Sequence, residues 1–155
     1  MDALTKVRET LKSLNASGEV REFAQSVPTA VAAAAELGCE VGAIANSLIF
    51  SAESAPLLII ASGAHRVDLK MVAKELGIKK IGRAGADFVL EATGQEVGGV
   101  APVGHPAQIK TIIDKALFDY PVIWAGGGSH HAMFSTNAEE LVRMTQGLVM
   151  VVSST

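Results

Sequence analysis

One cysteine, Cys39, is all that this 155-residue chain contains. An intrachain disulfide and any multi-cysteine metal site are therefore excluded, and a lone thiol of this kind reads as packing rather than as a nucleophile. Long apolar runs are missing too. Hydrophobic residues make up 49% of the chain and the mean hydropathy is +0.34. Charges or turn residues nevertheless interrupt every apolar stretch before the ~20 residues that a membrane span needs, so a soluble protein with no membrane partner is expected. No Pro/Gly/Ser-rich linker or charge block divides the sequence, and its length suits one domain, residues 1–155, that buries roughly two thirds of its unfolded surface. The start reads as an amphipathic helix rather than a basic segment leading into an apolar one, so no secretory signal is read and a cytoplasmic location is expected.

Several motifs are absent as well. Neither Gly-x-Gly-x-x-Gly nor Gly-x-x-x-x-Gly-Lys-Ser/Thr follows a strand, which sets aside a nucleotide-phosphate enzyme. The four histidines show no His-Glu-x-x-His or comparable spacing, so neither a metal nor another cofactor is expected. The formal charge of −3 argues against a general nucleic-acid coating protein, but leaves room for a local basic patch that holds one defined RNA.

What the chain does have is glycine concentrated in two loops. The first is Gly98-Gly99-Val100-Ala101-Pro102-Val103-Gly104-His105-Pro106; the second is Gly126-Gly127-Gly128-Ser129-His130-His131. Glycine lets a backbone approach a ligand and aim successive N–H groups at it, while Pro102 and Pro106 stiffen the path. Such a loop suits an oxyanion or carbonyl cradle; tight connections between strands are the plainer reading.

Around these loops the periodicity gives a mixed set of elements. Ala3, Leu4, Val7, Leu11 and Leu14 form one stripe of a first helix ending near residues 15–18. A short strand over 20–23 follows, then a helix capped by Thr29 and stopped by Gly38. Residues 44–50 and 56–61 read as strands joined by the turn 51–54, and the second is apolar throughout, hence central and covered on both faces. Asp68 caps a third helix stopped by Gly77, a strand covers 79–83, and a fourth helix runs over 87–93. Strands over 109–113, 120–125 and 132–135, a helix over 137–145 and a strand over 148–152 complete the chain. Several strands succeed one another without helices between them, which excludes a simple doubly wound βαβ repeat and favours an α+β domain with a mixed sheet.

In this order the residues resemble the YbaK and prolyl-tRNA synthetase-associated editing domains, which remove wrongly attached amino acids from tRNA. The resemblance is carried by Ser47-Leu48-Ile49-Phe50, by Gly63-Ala64-His65-Arg66-Val67-Asp68, by Thr93-Gly94 followed by Val97 to Gly104, by Gly126 to Ser129, and by Ala138-Glu139-Glu140-Leu141. It implies a barrel-like mixed β-sheet surrounded by helices and a free-standing, trans-editing aminoacyl-tRNA deacylase. It also implies the tRNA acceptor end, carrying an amino acid, as partner, together with transient contact with a synthetase. The family's Gly-x-x-x-Pro element corresponds to Gly98, Gly99, Val100, Ala101 and Pro102, whose implied role is to hold the aminoacyl carbonyl. Hydrolysis of an ester builds negative charge on that oxygen, and preorganised N–H donors stabilise it, while water or a ribose hydroxyl supplies what a protein nucleophile supplies elsewhere.

The chain departs from the family at Asn46, which stands where the family has lysine directly before the Ser-Leu pair. An amide donates and accepts hydrogen bonds but cannot neutralise charge. Two classes therefore stand side by side: a deacylase, and a binding module of the same fold with little or no hydrolysis. Asn46, Ser47, Arg66, Gly127, Gly128 and Ser129 are the substrate-binding candidates. His130, after the glycine triplet, is the histidine placed in the pocket to meet the substrate's amino group or the attacking water, with a surface hairpin histidine as the other reading. Asp68 reads as a helix cap, Arg66 as its partner or a phosphate contact. Lys74, Lys79, Lys80 and Arg83 form the densest basic patch available to an acceptor stem, or a solvated face. Ala45, Ala101 and Gly127 beside Ile44 and Val100 suggest a modest cavity for a small aminoacyl group. The residues set no oligomeric state.

Overall fold

The structure, a computed structural model, describes residues 2–154. Each helix begins and ends where local chemistry directs. Helix α1 (Ala3–Ser13) is capped by Asp2, whose side chain accepts from the Thr5 N–H, and buries Val7 and Leu11. Thr29 caps α2 (Ala30–Leu37), Asp68 caps α3 (Leu69–Leu76) and Asn137 caps α5 (Ala138–Thr145), each satisfying one of the otherwise orphaned N–H groups of a first turn. Helix α4 (Ala86–Thr93) starts at Gly85 without a side-chain cap. Gly38, Gly77 and Gly94 close α2, α3 and α4 in the left-handed conformation.

The strands are β1 (Val20–Glu22), β2 (Ile44–Ala52), β3 (Ala55–Ser62), β4 (Ile81–Arg83), β5 (Lys110–Asp114), β6 (Ile123–Gly126), β7 (Ala132–Thr136) and β8 (Leu148–Met150). They pair in the order β1-β7-β6-β2-β3-β5-β8, with β4 also paired to β2. The β2–β6, β3–β5 and β5–β8 pairs are parallel and the others antiparallel, the mixed sheet of an α+β fold. The path runs open from β1 to β8; no β1–β8 pairing closes a barrel among the described residues.

As its composition dictates, β3 is central. Leu58 and Ile60 join one core with α1, α4 and α5, while Leu57, Ile59 and Ala61 join a second beneath α3. A third cluster, with Phe23, Val27, Ile44 and Met133, lies under α2, and Cys39 packs against it. Burial pushes the Cys39 thiol pKa up, away from a nucleophile's range.

Several boundaries differ from expectation; the strand expected over 79–83, for example, begins only at Ile81. The β2–β3 turn shrinks to Glu53-Ser54, both at positive φ, a two-residue turn whose twist matches that of the strands. The strand expected over 120–125 begins only at Ile123, because Asp114 accepts the Ala116 N–H to start a 3-10 turn, Lys115–Asp119. Strand β8 stops at Met150, and the Val152 carbonyl instead accepts the Asp68 N–H at 2.8 Å, at the start of α3.

The neighbours of β2 leave part of one of its edges open. Strand β3 occupies one edge of β2; on the other, β6 pairs only with Ile44 and Ala45, and β4 only with Phe50 to Ala52. Among the described residues, none forms a strand on that side of residues 46–49.

Candidate active site

A cleft of about 820 Å³ opens where the edge of β2 is unpaired. Asn46, Ser47, Leu48 and Ile49 line it, faced by Val97, Gly98 and Val100 from the first glycine loop, Gly126 and Ser129 from the second, His65 and Arg66 before α3, Arg83 from β4, and the start of α2. Strand alternation sends Asn46 and Leu48 to the side of Ala61 and Ile59, and Ser47 and Ile49 to the side of Ile60 and Leu58. Ser47 Oγ is buried with no hydrogen-bond partner among the described residues, an uncommon state for a buried hydroxyl.

The first glycine loop is held from within. Gln95, 1% exposed, accepts the Ala101 N–H on its Oε1 at 2.6 Å and donates from Nε2 to the Val103 carbonyl at 3.2 Å. The Thr93 hydroxyl donates to the Gln95 carbonyl and accepts its N–H. The Gly99 N–H donates to the Glu96 carbonyl at 3.0 Å. Of the N–H groups that residues 98–101 could offer a carbonyl, those of Gly99 and Ala101 are thus committed, and those of Gly98 and Val100 have no partner among the described residues; both residues line the cleft. Ala101 and Pro102 are buried behind that wall.

The two glycine loops press together, which is what makes glycine necessary. A Cβ on Gly99 would come within 2.8 Å of the Ser129 carbonyl carbon, and Gly128, at φ +96°, leaves room for Val7 of α1. Gly127 donates its N–H to the Ala132 carbonyl, so Gly127 and Gly128 shape the hairpin while Ser129 alone of the three reaches the cleft. His130 is not in the cleft lining. Its ring lies against Gly98, whose Cβ would stand 2.9 Å from His130 Cε1, and its Nε2 is 3.5 Å from Glu96 Oε2. The close approach of the two loops sets His130 against Gly98.

The histidine that does line the cleft is His65, with Nδ1 2.9 Å from Oδ2 of the buried Asp114. The sequence hint was faint: a carboxylate directly after the apolar run Ile112-Ile113. Gln95 gave none beyond its place after Thr93-Gly94. His105 Nε2 meets the Ala101 carbonyl at 2.8 Å; burial lowers the pKa of this ring below the ordinary value, outweighing the hydrogen bond to Ala101. Among the described residues no group of three His, Cys, Asp or Glu side chains is placed to hold a metal ion, and no helix is long and apolar enough to cross a membrane.

Two glycine loops and an unpaired stretch of β2 thus wall one cleft. Residues 24–144 match the aminoacyl-tRNA editing domain, and the chain belongs to that family, whose activity is deacylation of aminoacyl-tRNA. Among relatives, the chain is 31% identical over 140 residues to "Uncharacterized protein YwhH" of Bacillus subtilis, covering 90% of this chain and 88% of that one. It is 28% identical over 129 residues to "Putative Cys-tRNA(Pro)/Cys-tRNA(Cys) deacylase EbsC" of Enterococcus faecalis, covering 81% and 79%. A solved structure described as "a putative trans-editing enzyme for prolyl tRNA synthetase" superposes with a TM-score of 0.93 at 33% identity, covering 100% of this chain and 99% of that one.

Proposed function

We propose that this chain is a free-standing, single-domain editing enzyme that hydrolyses the ester of tRNA mischarged with a small amino acid, acting in trans in the cytoplasm on the acceptor end that a synthetase releases. The observation that carries the reading is the pair of uncommitted N–H groups, Gly98 and Val100, in the wall that faces the unpaired stretch of β2. Donors already fixed in place stabilise a developing oxyanion without reorganising. In this reading the ester carbonyl lies against them and the amino-acid side chain lies between Ala45, Ile49 and Val89, where an apolar wall leaves space for a small group.

Asn46 carries no charge, but Arg66 and Arg83 line the same cleft and make no ion pair among the described residues. They supply the positive charge for the terminal phosphates. His130 orders the loop from behind Gly98 in this scheme. The second reading, a binding module without turnover, is favoured by Asn46 alone.

The test is hydrolysis of a panel of mischarged tRNAs. Alanyl, seryl and cysteinyl esters should be cleared and a phenylalanyl ester on the same tRNA spared; an apolar pocket distinguishes one methylene by only about 1–3 kcal/mol, so neighbouring sizes overlap. Equal hydrolysis of alanyl and phenylalanyl esters would reject size selection, and binding without hydrolysis would establish the second reading.

A further inference from the structure

Asp114 ends β5 with its carboxylate 2% exposed. A buried carboxylate is costly unless donors surround it. Here Oδ1 accepts the Ala116 N–H at 3.0 Å, while Oδ2 accepts the Ser62 N–H at 2.9 Å and faces His65 Nδ1 at 2.9 Å. Two of these donors are backbone groups that would fold the turn whatever stood at position 65. The third is an imidazole whose side chain is 24% exposed and lines the cleft. A carboxylate can only accept, so in the neutral ring the proton sits on Nδ1 and Nε2 carries the lone pair. Nε2 has no partner among the described residues.

The loop that bears His65 is fixed as firmly as its partner. The Gly63 N–H donates to the Ile44 carbonyl at 2.8 Å and Ser62 Oγ donates to the Gly42 carbonyl at 2.8 Å, tying the loop to the start of β2. Ser62 stands opposite Ala45, and Ala45 opposite Ala125, the neighbour of Gly126, which packs against the Val100 carbonyl. Two strand spacings, roughly 10 Å, thus separate the base of the His65 loop from β6, and His65, Gly98 and Val100 line the same cleft.

We propose that His65 is the proton acceptor of the deacylation and that Asp114 is its positioning residue; the proposal rests on the deacylase reading. Nε2 takes a proton from water as the water oxygen bonds to the ester carbonyl carbon, and the carbonyl electron pair moves onto the oxygen facing the Gly98 and Val100 N–H groups. When the tetrahedral species collapses, the bond to the ribose oxygen breaks and that oxygen takes the proton back from Nε2. Free amino acid and the ribose hydroxyl of the tRNA leave, the imidazole is neutral again, and water is the only co-reactant.

The experiment is single-turnover hydrolysis of Ala-tRNA(Pro) and Cys-tRNA(Pro) by the full chain and by His65→Gln, His65→Gly and Asp114→Asn. General-base contributions are about 10²- to 10⁴-fold, so both His65 variants should lose rate on that scale while their affinity for the tRNA changes by no more than about threefold. Exogenous imidazole should restore about tenfold or more of the His65→Gly rate and nothing to wild type, a response that a merely structural histidine would not give. Asp114→Asn should slow turnover by fixing the other tautomer, and combining it with His65→Gln should add little, because the two act as a unit. If wild type hydrolyses either tRNA and His65→Gln stays within about threefold of it, or if imidazole rescues nothing, the proton-acceptor role is overturned and the deacylase reading stands. If wild type hydrolyses neither, nor any other mischarged tRNA, both fall together.

Discussion

The backbone N–H of Ala101 donates to Gln95 Oε1 at 2.6 Å, inside the protein and away from the cleft. A side chain six residues upstream thus holds the glycine loop, and Gln95 also donates to the Val103 carbonyl. Gln95→Leu fills similar space but leaves one N–H and one carbonyl buried and unpaired, each costing about 1–3 kcal/mol. The expected outcome is a loss of about 2–6 kcal/mol in chemical denaturation, with deacylation falling further than the unfolded fraction accounts for. Gln95→Glu keeps the acceptor for Ala101 and should lose less of the loop's shape at high proton concentration than at low.

Gly99 tests the seam between the two glycine loops. Its Cβ would meet the Ser129–His130 backbone at 2.8–3.0 Å, where no flexible side chain can yield. Gly99→Ala should destabilise the fold by about 1–3 kcal/mol, the usual cost of overpacking, and lower turnover by moving Gly98 and Val100 relative to β2. Comparing thermal melting with single-turnover rates checks both effects; unchanged rates would detach the seam from the reaction.

His105 makes stability depend on pH. Its folded pKa lies below the ordinary 6.5 because burial disfavours the imidazolium. The unfolded chain therefore binds more protons in the window below pH 6.5, so this contribution is complete above that pH and is lost as the pH falls toward the folded pKa. Melting temperatures between pH 7.5 and 5 should fall more steeply for wild type than for His105→Gln, which cannot titrate.

RNA contact should be shallow in its salt dependence. Arg66 and Arg83 are the cations in the cleft lining, and removing either should reduce the slope of log affinity against log salt by about one. Asn46→Lys should raise it by a similar amount if Asn46 faces the terminal phosphates. A steep slope in wild type, or none of these changes, would place the RNA on another face.

The elements of this fold are local statements. Asp2, Thr29, Asp68 and Asn137 cap helices, and Gly38, Gly77 and Gly94 stop them, because a side chain three residues from an N–H or a residue without Cβ settles the matter on the spot. The unbroken apolar run of β3 likewise required cover on both faces, and the two glycine loops announced a close approach of backbones. What those loops offer a ligand was decided elsewhere. Which N–H groups remain uncommitted depends on Gln95 and Glu96 turning inward or back, and whether His130 or His65 enters the cleft depends on loops that meet only in three dimensions. His65 and Asp114 are 49 residues apart, and no periodicity links them. The sheet brings them together by placing β5 beside β3, and it opens the cleft by giving β2 two short neighbours on one edge, β6 and β4, with residues 46–49 left between them.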